Sequence, residues 1–308
     1  MSERSLQDEL TYRFEDWCHA RLPRTPWADN VAALVQFYNR HHRLPRARRG
    51  SMNDAVHWLR VSGQLREPER VETTDKELAK NFVRHIVGDT YPVPTLAVLR
   101  DAASAAAFSY PDQCVIKPTH MSGHIIFRQH GEPVNLDRIR GWFSANYYDQ
   151  WREQLYRDLT PKVIVEPLLP VRMADVRIFC VHGEPRAIEI GCTKREGSPL
   201  QWYSAQWERL PFTIRQYALP PAEHAPANLS ELHALAIRLS RPFNLVRVDF
   251  YTDGREIAVG EITHCHGAAQ TRFYPPSGEW LLGNLLFGPE GFDRANFTGR
   301  REARRQEA

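Results

Sequence analysis

The sequence predicts an α+β fold, because its helical and strand-like stretches fall largely in separate parts of the chain. Residues 1–70 are typical of helices broken by loops, with the basic segment RHHRLPRARRG between two aromatic-bearing helical stretches. From residue 162 onward short strands dominate. Residues 246–261 contain apolar residues that alternate with polar ones, the period of two expected of a half-buried strand. These three observations indicate a mainly helical N-terminal region followed by sheet-containing subdomains.

Local signals predict the elements between and within these regions. Residues 75–87 form a predicted helix, with Thr74 or Asp75 as its N-cap and Gly88 as its end. Further helices are predicted at 101–108, 136–158 and 229–240. Strands are predicted at 91–99, 113–117, 163–165, 176–181 and 186–190, with a strand-turn-strand at 120–128. Residues 193–227 form a polar, proline-rich insert.

The most informative stretch is residues 246–267, VRVDFYTDGREIAVGEITHCHG, which predicts a β-hairpin around the turn TDG. Antiparallel pairing of its arms brings Asp249 and Glu261 together, and Arg247 faces the same side as Asp249. Two carboxylates with substrate phosphates are a typical Mg²⁺ site, and a cation beside them can neutralise a phosphate or an oxyanion. The alternative interpretation is a surface hairpin with solvated salt bridges.

Composition indicates a soluble globular protein of two or three subdomains. Hydrophobic residues make up 42% and charged residues 25% of the chain, and no apolar run approaches the ~20 residues of a membrane span. The start of the chain lacks an apolar signal-peptide core, which predicts a cytoplasmic location. Five cysteines without a CxxC pair argue against a disulfide framework, and a net charge of +3 is too small to indicate nucleic-acid binding.

Several motifs occur in an order that resembles the nucleotide and metal framework of ATP-grasp enzymes. They are DK at 75–76, VIKP at 115–118, VIVE at 163–166, DVR at 175–177, RVD at 247–249 and EIT at 261–263. The longer strings TTDKELAKNFV, FCVHGEPRAI, PANLSELHALAIRLS and FNLVRVDFY resemble the TupA-like branch, which is named for teichuronopeptide biosynthesis. The resemblance covers roughly residues 70–287, and the order of its motifs is more specific than any one of them.

The resemblance implies two α/β subdomains that clasp ATP. It divides the chain into an N-terminal helical and basic region (1–70), a first subdomain with the phosphate loop (71–160), a second subdomain with the metal-binding hairpin (161–298) and a charged tail (299–308). The implied cofactors are ATP and Mg²⁺, with Mn²⁺ as the alternative ion. Asp249, Glu261 and Thr263 are the implied metal ligands, and Thr263 stands where many relatives carry the better ligand Asn.

The resemblance also implies residues that bind the triphosphate. Lys76 and Lys117 resemble the two lysines that reach the α- and β-phosphates, a task that suits a point charge on a flexible stem. The loop with Ser122 and Gly123 is expected to lie over the phosphates, although it is poorer in glycine and serine than is common in the superfamily. An ordinary surface lysine is the alternative for both lysines, and Lys117 fits it less well because it ends an apolar strand.

Three more residues are matched to the rest of the nucleotide. Glu166 resembles the hinge acid at the adenine edge, and Asp175 resembles the ribose-binding acid. Arg177, in preference to Arg186, is expected to face the phosphates or the acceptor. For Asp175 the alternative is a residue at the start of a strand that pairs with Arg177.

The implied reaction is ATP-dependent ligation of a carboxylate to an amine through an acylphosphate, with Arg247 stabilising the transferred phosphoryl group or the oxyanion. The acceptor is expected to be a small molecule, a peptide or a sugar polymer with amine and carboxylate groups, in cell-surface polymer, natural-product or peptide biosynthesis. Trp202, Tyr203, Trp207 and the basic segment 40–49 are candidates for its recognition. Core aromatics and solvated charges are their alternatives.

Four other functions fit the sequence less well. A phosphotransferase would use the same nucleotide framework, and a non-catalytic nucleotide-binding module would not need to keep the two lysines and the two acids. A zinc site at His264, Cys265 and His266, completed by Cys192 or His182, has no standard spacing. A hydrolase that uses Ser122 with His120 or His124 lacks the expected nucleophile elbow.

Overall fold

The computed structural model describes residues 15, 17, 21–191, 200–214 and 222–297, and their strands form two antiparallel sheets. The first sheet contains, in spatial order, β1 (Ala97–Leu99), β4 (Val163–Pro167), β2 (Cys114–Pro118) and β3 (Ile126–Arg128). The second contains β7 (Gln201–Ser204), β6 (Glu184–Gly191), β5 (Ala174–Val181), β8 (Leu245–Thr252) and β9 (Ile257–Thr263). The predicted α+β class is confirmed. The predicted charged tail and Cys192 lie outside the described residues.

The helices surround the two sheets. They are α1 (Pro26–His41), α2 (Met52–Val61), α3 (Pro68–Thr74), α4 (Lys76–Val87), α5 (Ala102–Ala107), α6 (Leu136–Ser144), α7 (Tyr147–Trp151), α8 (Leu229–Ser240) and α9 (Ser277–Phe287). Short 3-10 turns occur at Gln64–Arg66, Gln154–Tyr156 and His266–Ala269. The mainly helical N-terminal region is therefore present from residue 26 onward. Among all the residues that the structure describes, no helix is long and apolar enough to cross a membrane.

Helix α4 begins and ends where its sequence predicts. The Asp75 carboxylate accepts hydrogen bonds from the backbone amides of Glu77 and Leu78, at 2.9 and 3.2 Å, and so satisfies two amides that have no partner inside the helix. Gly88 follows the last helical residue with φ of 103°, a backbone conformation that glycine adopts without a steric penalty. This cap holds the first turn of α4, and with it Lys76, beside the end of β2.

The second sheet separates an apolar face from a charged one. Val176, Ile178 and Cys180 of β5 are fully buried against α8 and α4, whereas Asp175 and Arg177 face the other side. Each apolar side chain on the buried face contributes about 1.5–3 kcal/mol through burial. Because successive residues point to opposite faces, this apolar packing determines which side receives the charges.

Three predicted elements differ in the structure. Within 120–128 only β3 is a strand, because Thr119, His120 and Met121 are buried in a turn before it. The predicted strand 91–99 is divided between the sheets: the backbone at Tyr91 and Val93 pairs with Val259 of β9, and only β1 joins the first sheet. The predicted helix 136–158 is broken into α6, α7 and a 3-10 turn.

The insert contributes a strand that its composition did not predict. β7 pairs with β6 and forms the edge of the second sheet, with Trp202 opposite Glu189. Trp202 and Tyr203 are fully buried. The tertiary pairing with β6 therefore overrides the local polar character of the insert.

Strand β4 bears on the division of the chain into subdomains. It pairs with β1 and β2 of the first sheet, although its residues follow the expected boundary at residue 160. The first sheet therefore includes residues up to Pro167. The predicted subdomain limits stay a prediction.

Candidate active site

The predicted carboxylate hairpin is present as β8 and β9. Asp249 lies directly opposite Glu261, Arg247 lies opposite Thr263, and a bulge follows Asp249. The Arg247 guanidinium donates two hydrogen bonds of 2.6 Å to Asp249, from Nε to Oδ1 and from Nη2 to Oδ2. It also donates to Nδ1 of His266 at 2.6 Å and to the Thr263 hydroxyl at 3.2 Å. Both oxygens of the Asp249 carboxylate are thus engaged by one arginine.

Glu261 differs from Asp249 in this respect. No hydrogen bond or ion pair joins its side chain to another residue in the described part of the chain, and it lines a cavity. Nor do these residues contain a cluster of three or more His, Cys, Asp or Glu side chains suited to a metal. Mg²⁺ is commonly bound by one or two carboxylates that act together with substrate phosphates. Asp249, Glu261 and the Thr263 hydroxyl are hard oxygen donors that fit this ion, provided that Asp249 shares its carboxylate with Arg247.

The hairpin continues a row of side chains that crosses the second sheet. In register across the five strands stand Trp202, Glu189, Arg177, Asp249 and Glu261. Arg177 donates to Oε1 of Glu189 at 2.7 Å and to Oδ2 of Asp175 at 2.5 Å. Burial opposes its charge, yet the two acids raise the pKa of Arg177 above its usual value. Arg177 therefore stays a cation at the centre of an acidic row.

Glu189 was not predicted as a site residue. It is fully buried, on a strand whose neighbours in sequence are apolar. A carboxylate inside an apolar strand is a sequence signal for a site residue, because a buried charge has to be paired. Three atoms of this cluster lack a hydrogen-bond partner among the described residues: Oδ1 of Asp175, Oε2 of Glu189 and Nε of Arg177. Burial also raises the pKa of Asp175, against the influence of Arg177. A polar ligand could satisfy these atoms.

The predicted phosphate lysine Lys117 belongs to a buried cluster with Glu166. The Glu166 carboxylate forms ion pairs with the Lys117 ammonium at 2.7 Å and with the Lys80 ammonium at 2.6 Å. Although burial opposes it, these two cations lower the pKa of Glu166. Both carboxylate oxygens are therefore occupied by lysines rather than open to an adenine amino group. The nucleotide roles of Lys117 and Glu166 stay predictions.

Lys80 was also not predicted. It lies on α4 one helical turn after Lys76, so the two lysines share a face of the helix. Lys76 itself donates to the carbonyl of Met121 at 2.6 Å. Burial lowers the pKa of the Lys76 ammonium, while the charge of Glu261 opposes this shift. The first turn of α4 therefore places Lys76 between the phosphate loop and the carboxylate hairpin.

The first half of the expected phosphate loop is buried and held by the protein, and its second half is accessible. His120 is buried and bonds the carbonyl of Trp142 at 2.9 Å. Ser122 is half-buried, and Gly123 is exposed, with φ of 75° and open space around its Cα. Ser122 lies beside the hydroxyl of Tyr147. The loop is thus fixed to the first sheet but offers Ser122 and Gly123 at its tip.

Two cavities lie on either side of the charged row. The smaller cavity, of about 230 Å³, is lined by residues of both sheets, among them Val115, Lys117, Glu166, Met173, Asp175, Arg177 and Tyr251. We call it the nucleotide-side cavity, because several of these residues are predicted to bind the nucleotide. The larger one, called the acceptor-side cavity because it lies on the other side of the row, has a volume of about 480 Å³ and is lined among others by Ser122, Tyr147, Glu153, Arg247, Glu261, Thr263 and Arg272. The arginines and acids of the row therefore separate a mainly apolar cavity from one whose lining is about equally polar and apolar.

The N-terminal region forms part of the acceptor-side cavity. Its helices hold the backbone of the loop that follows β9: Arg40 donates to the carbonyl of Gln270 at 2.7 Å, and Arg60 donates to that of Ala268 at 2.8 Å. Asn53 bonds both the carbonyl and the amide of Thr271. Ala268 and Ala269 have φ of 52° and 62°, an unfavourable conformation for alanine that these contacts maintain.

The candidates for acceptor recognition are placed differently. Trp202 and Tyr203 belong to the core. The prediction that they contact the acceptor directly is wrong, because neither side chain is exposed. Trp207 stacks on Tyr203. Of the basic segment, Arg40 lines the cavity, whereas Arg43 pairs with the buried Asp54 at 2.7 Å. Trp202, Tyr203 and Arg43 are thus structural, and the roles of the other candidates stay predictions.

The zinc and hydrolase interpretations find no support in the side-chain contacts. Both ring nitrogens of His264 are used, Nδ1 by Arg70 at 2.9 Å and Nε2 by Thr73 at 2.7 Å. His266 accepts from Arg247, and burial lowers its pKa well below the usual value. The ring nitrogens of His120 bond the carbonyl of Trp142 and the amide of Lys162 rather than Ser122. These residues therefore serve to position neighbouring side chains. Cys192 lies outside the described residues.

Comparison with protein families identifies the fold. The sequence profile of the family described as TupA-like ATPgrasp matches residues 54–287, which is most of the chain. The chain therefore belongs to the TupA-like ATP-grasp family, as its motifs predicted. A search of curated protein sequences gave no significant match.

Solved structures of ATP-grasp proteins resemble the chain at low identity. D-alanine–D-alanine ligase from Bacillus anthracis is 14% identical, with a TM-score of 0.42, 77% of this chain and 70% of that chain covered. The enzyme of the same name from Helicobacter pylori is 14% identical, with a TM-score of 0.39 and coverages of 71% and 58%. The ATP-grasp ligase PsnB, complexed with a minimal precursor, is 14% identical, with a TM-score of 0.38 and coverages of 70% and 60%. The match spans about three-fifths of the last two proteins.

Proposed function

We propose that the protein is an ATP-dependent ligase that joins a carboxylate to an amine through an acylphosphate. The observation that carries this proposal is the charged row of the second sheet. It contains Arg177, Asp249 and Glu261 in register, with Arg247 beside them, and it separates the nucleotide-side cavity from the acceptor-side cavity. Such a row is where a phosphoryl group would pass from nucleotide to acceptor.

The nucleotide-side cavity is assigned to adenine and ribose. Its apolar lining, with Val115, Met173 and the ring of Tyr251, suits a planar base. The unpartnered oxygen of Asp175 is available for a ribose hydroxyl.

The phosphates are assigned to a second group of residues, which contains Lys76, Lys117, Arg177 and the loop tip at Ser122 and Gly123. Lys117 would then exchange its contact with Glu166 for a phosphate oxygen, and Lys80 would remain to hold Glu166.

The acceptor-side cavity is assigned to the chemistry. A substrate carboxylate attacks the γ-phosphorus, ADP leaves, and an amine then displaces phosphate from the acyl carbon. Arg247, held by Asp249 and His266, is positioned to stabilise the negative charge that develops in both steps. When bound by Asp249, Glu261 and Thr263, Mg²⁺ would neutralise charge on the β- and γ-phosphates. Positioning and electrostatics suffice for such a reaction, so no protein nucleophile is required.

The acceptor and the pathway are part of this proposal. A small molecule, a peptide or a sugar polymer that carries amine and carboxylate groups fits the polar part of the cavity lining, with Arg272 at its exposed edge. Biosynthesis of a cell-surface polymer, a natural product or a peptide is the corresponding setting, and the cytoplasm is the proposed location.

A trapping experiment distinguishes ligation from phosphotransfer. The protein is incubated with ATP, Mg²⁺ and a panel of carboxylic acids, amines and alcohols, ADP is measured, and the products are identified by mass. With the correct acid, hydroxylamine is expected to intercept the acylphosphate as a hydroxamate. A phosphorylated alcohol as the sole product would contradict the ligase proposal and indicate a phosphotransferase.

A further inference from the structure

Glu153 is a buried carboxylate in the acceptor-side cavity that the proposed reaction has not used. It lies between α7 and the 3-10 turn Gln154–Tyr156, is 6% exposed, and lines the cavity together with Arg247 and Glu261. A charged side chain in such a position needs a partner of opposite charge or a reason to be protonated. Glu153 therefore calls for a functional explanation.

The surrounding backbone holds Glu153 firmly in place. Arg152 ends α7 in the left-handed conformation, with φ of 54°, and turns the chain at Glu153. The buried Asp29 of α1 accepts hydrogen bonds on both sides of this turn, from Tyr148 at 2.6 Å and from Gln154 at 3.2 Å. Arg152 adds a contact to Asp29 at 3.4 Å. The position of Glu153 is thus determined by contacts that do not involve its own carboxylate.

The groups that face Glu153 leave its charge unpaired. The Cys265 thiol, Tyr147 and Tyr156 stand beside it. Arg60 is the nearby cation, but its guanidinium donates to the carbonyls of Ala268 and Trp151 and to the side chain of Gln36. No ion pair involves Glu153 in the described part of the chain. Burial accordingly raises the pKa of Glu153 to about 7, against the influence of Arg60 and Cys265.

We propose that Glu153 binds the ammonium group of the amine acceptor and takes up one of its protons. This inference rests on the proposed ligase function and identifies the amine end of the acceptor-side cavity. A cation placed against Glu153 would supply the missing ionic partner, and the cavity connects it with Arg247 and Glu261, where the acyl group is activated. A carboxylate that titrates near neutral pH is well matched to removing a proton at that pH.

The step balances without a further reactant. One ammonium proton moves to the Glu153 carboxylate, and the lone pair that is freed forms the bond between nitrogen and the acyl carbon. The bond from that carbon to the phosphate oxygen then breaks. A second proton of the nitrogen leaves with the phosphate, which departs as hydrogen phosphate. Glu153 returns its proton to solvent after the amide is released.

Binding of simple amines tests the inference without knowledge of the natural substrates. The probes are methylammonium, ethanolammonium and the common α-amino acids, titrated calorimetrically into the full chain loaded with Mg²⁺ and ADP at about pH 8, where free carboxylates are ionised. At least one probe is expected to bind wild-type protein. Glu153→Gln should weaken that binding about 10–100-fold, because a charge-assisted hydrogen bond is lost.

Two further variants serve as controls for the charge and the position of the carboxylate. Glu153→Asp keeps the charge and should retain the preference for ammonium probes over the corresponding alcohols. Glu208→Gln removes a carboxylate from an exposed position and should leave amine binding unchanged. In wild-type protein, amine affinity should also fall as the pH is lowered through about 7, a measurement that needs no variant.

The outcomes separate this inference from the proposed function. If no ammonium probe binds wild-type protein, or if Glu153→Gln binds the probes as wild type does, the inference is wrong even when hydroxamate is formed. Conversely, amine binding that depends on Glu153 in a protein that makes only phosphorylated alcohols would support the site and contradict the ligase proposal.

Discussion

The two cavities that flank the charged row differ in how their charges are satisfied. On the nucleotide side, Lys117 is paired with Glu166 and Arg177 with Asp175, all at 2.5–2.7 Å. On the acceptor side, Glu153 and Glu261 have no ionic partner among the described residues. Paired charges hold a preorganised surface, whereas carboxylates without an ionic partner, such as the buried Glu153 and the half-buried Glu261, favour the binding of cations. This difference supports the proposal that the acceptor side binds a metal ion and an amine.

The metal acids provide the largest expected effect. Asp249→Asn and Glu261→Gln should each reduce Mg²⁺-dependent ADP formation by about 10³-fold or more, because several kcal/mol of charge stabilisation are lost. Their stabilities should differ, since only Asp249→Asn leaves Arg247 without its carboxylate. We expect a loss of about 1–3 kcal/mol in the free energy of unfolding for Asp249→Asn and little change for Glu261→Gln. Unchanged turnover in both variants would end the metal assignment.

Arg247 is expected to have the next largest effect. Arg247→Ala should lower turnover about 10²–10³-fold with little change in ATP affinity, because its contacts strengthen as charge develops. Turnover and nucleotide binding are measured on the same preparation. Normal turnover with weakened ATP binding would instead place Arg247 in the nucleotide-side cavity. Arg186→Ala is a suitable control, because Arg186 pairs with Glu184 at an exposed position away from the row.

On the nucleotide side, Lys117→Ala should weaken ATP binding about 10–100-fold while adenosine binding changes little. The reason is that the substitution removes a phosphate contact and leaves Glu166 paired with Lys80. Calorimetry with both ligands measures the difference. An equal loss for ATP and adenosine would show that Lys117 acts through the structure of the cavity.

The smallest expected effect is a change in the free energy of unfolding, which reports the unpaired charge of Glu153 directly. The pKa of Glu153 is raised from 4.5 to about 7 in the folded protein, so folding favours its protonated form. This group therefore lowers the stability of the wild type as the pH rises through that window. Glu153→Gln, which cannot ionise, should gain on the order of 1–3 kcal/mol relative to wild type between pH 4.5 and about 7. Thermal melts at several pH values test this, and a constant difference would contradict a raised pKa.

Much of the fold follows from local signals. Alternation in β8, the turn after it and the polar cap of α4 are each set within a few residues, and all three are present as predicted. The predicted pairing of Asp249 with Glu261 is correct for the same reason, because a short turn determines the register of a hairpin. Their roles, and those of the other predicted site residues, stay predictions.

Other features depend on contacts between distant parts of the chain. Glu189 becomes a site residue only because β6 pairs with β5 and places it against Arg177. Lys80 gains its role from Glu166, which is distant in sequence and lies on β4, an inner strand of the first sheet. Glu153 is buried because α1 and the loop after β9 enclose it. No local pattern in the sequence contains this information.

The sequence by itself determined the family, many of the elements and the order of the acids and cations along the chain, because these depend on periodicity and motifs. Only the tertiary structure decided which charges are paired and which remain without a partner. The reason is physical: the pKa and the pairing of a buried group depend on desolvation and on neighbours within a few ångströms, and those neighbours are brought together by strand register and helix packing. The contrast between Asp249, bound by Arg247, and Glu261, without such a partner, is of this second kind.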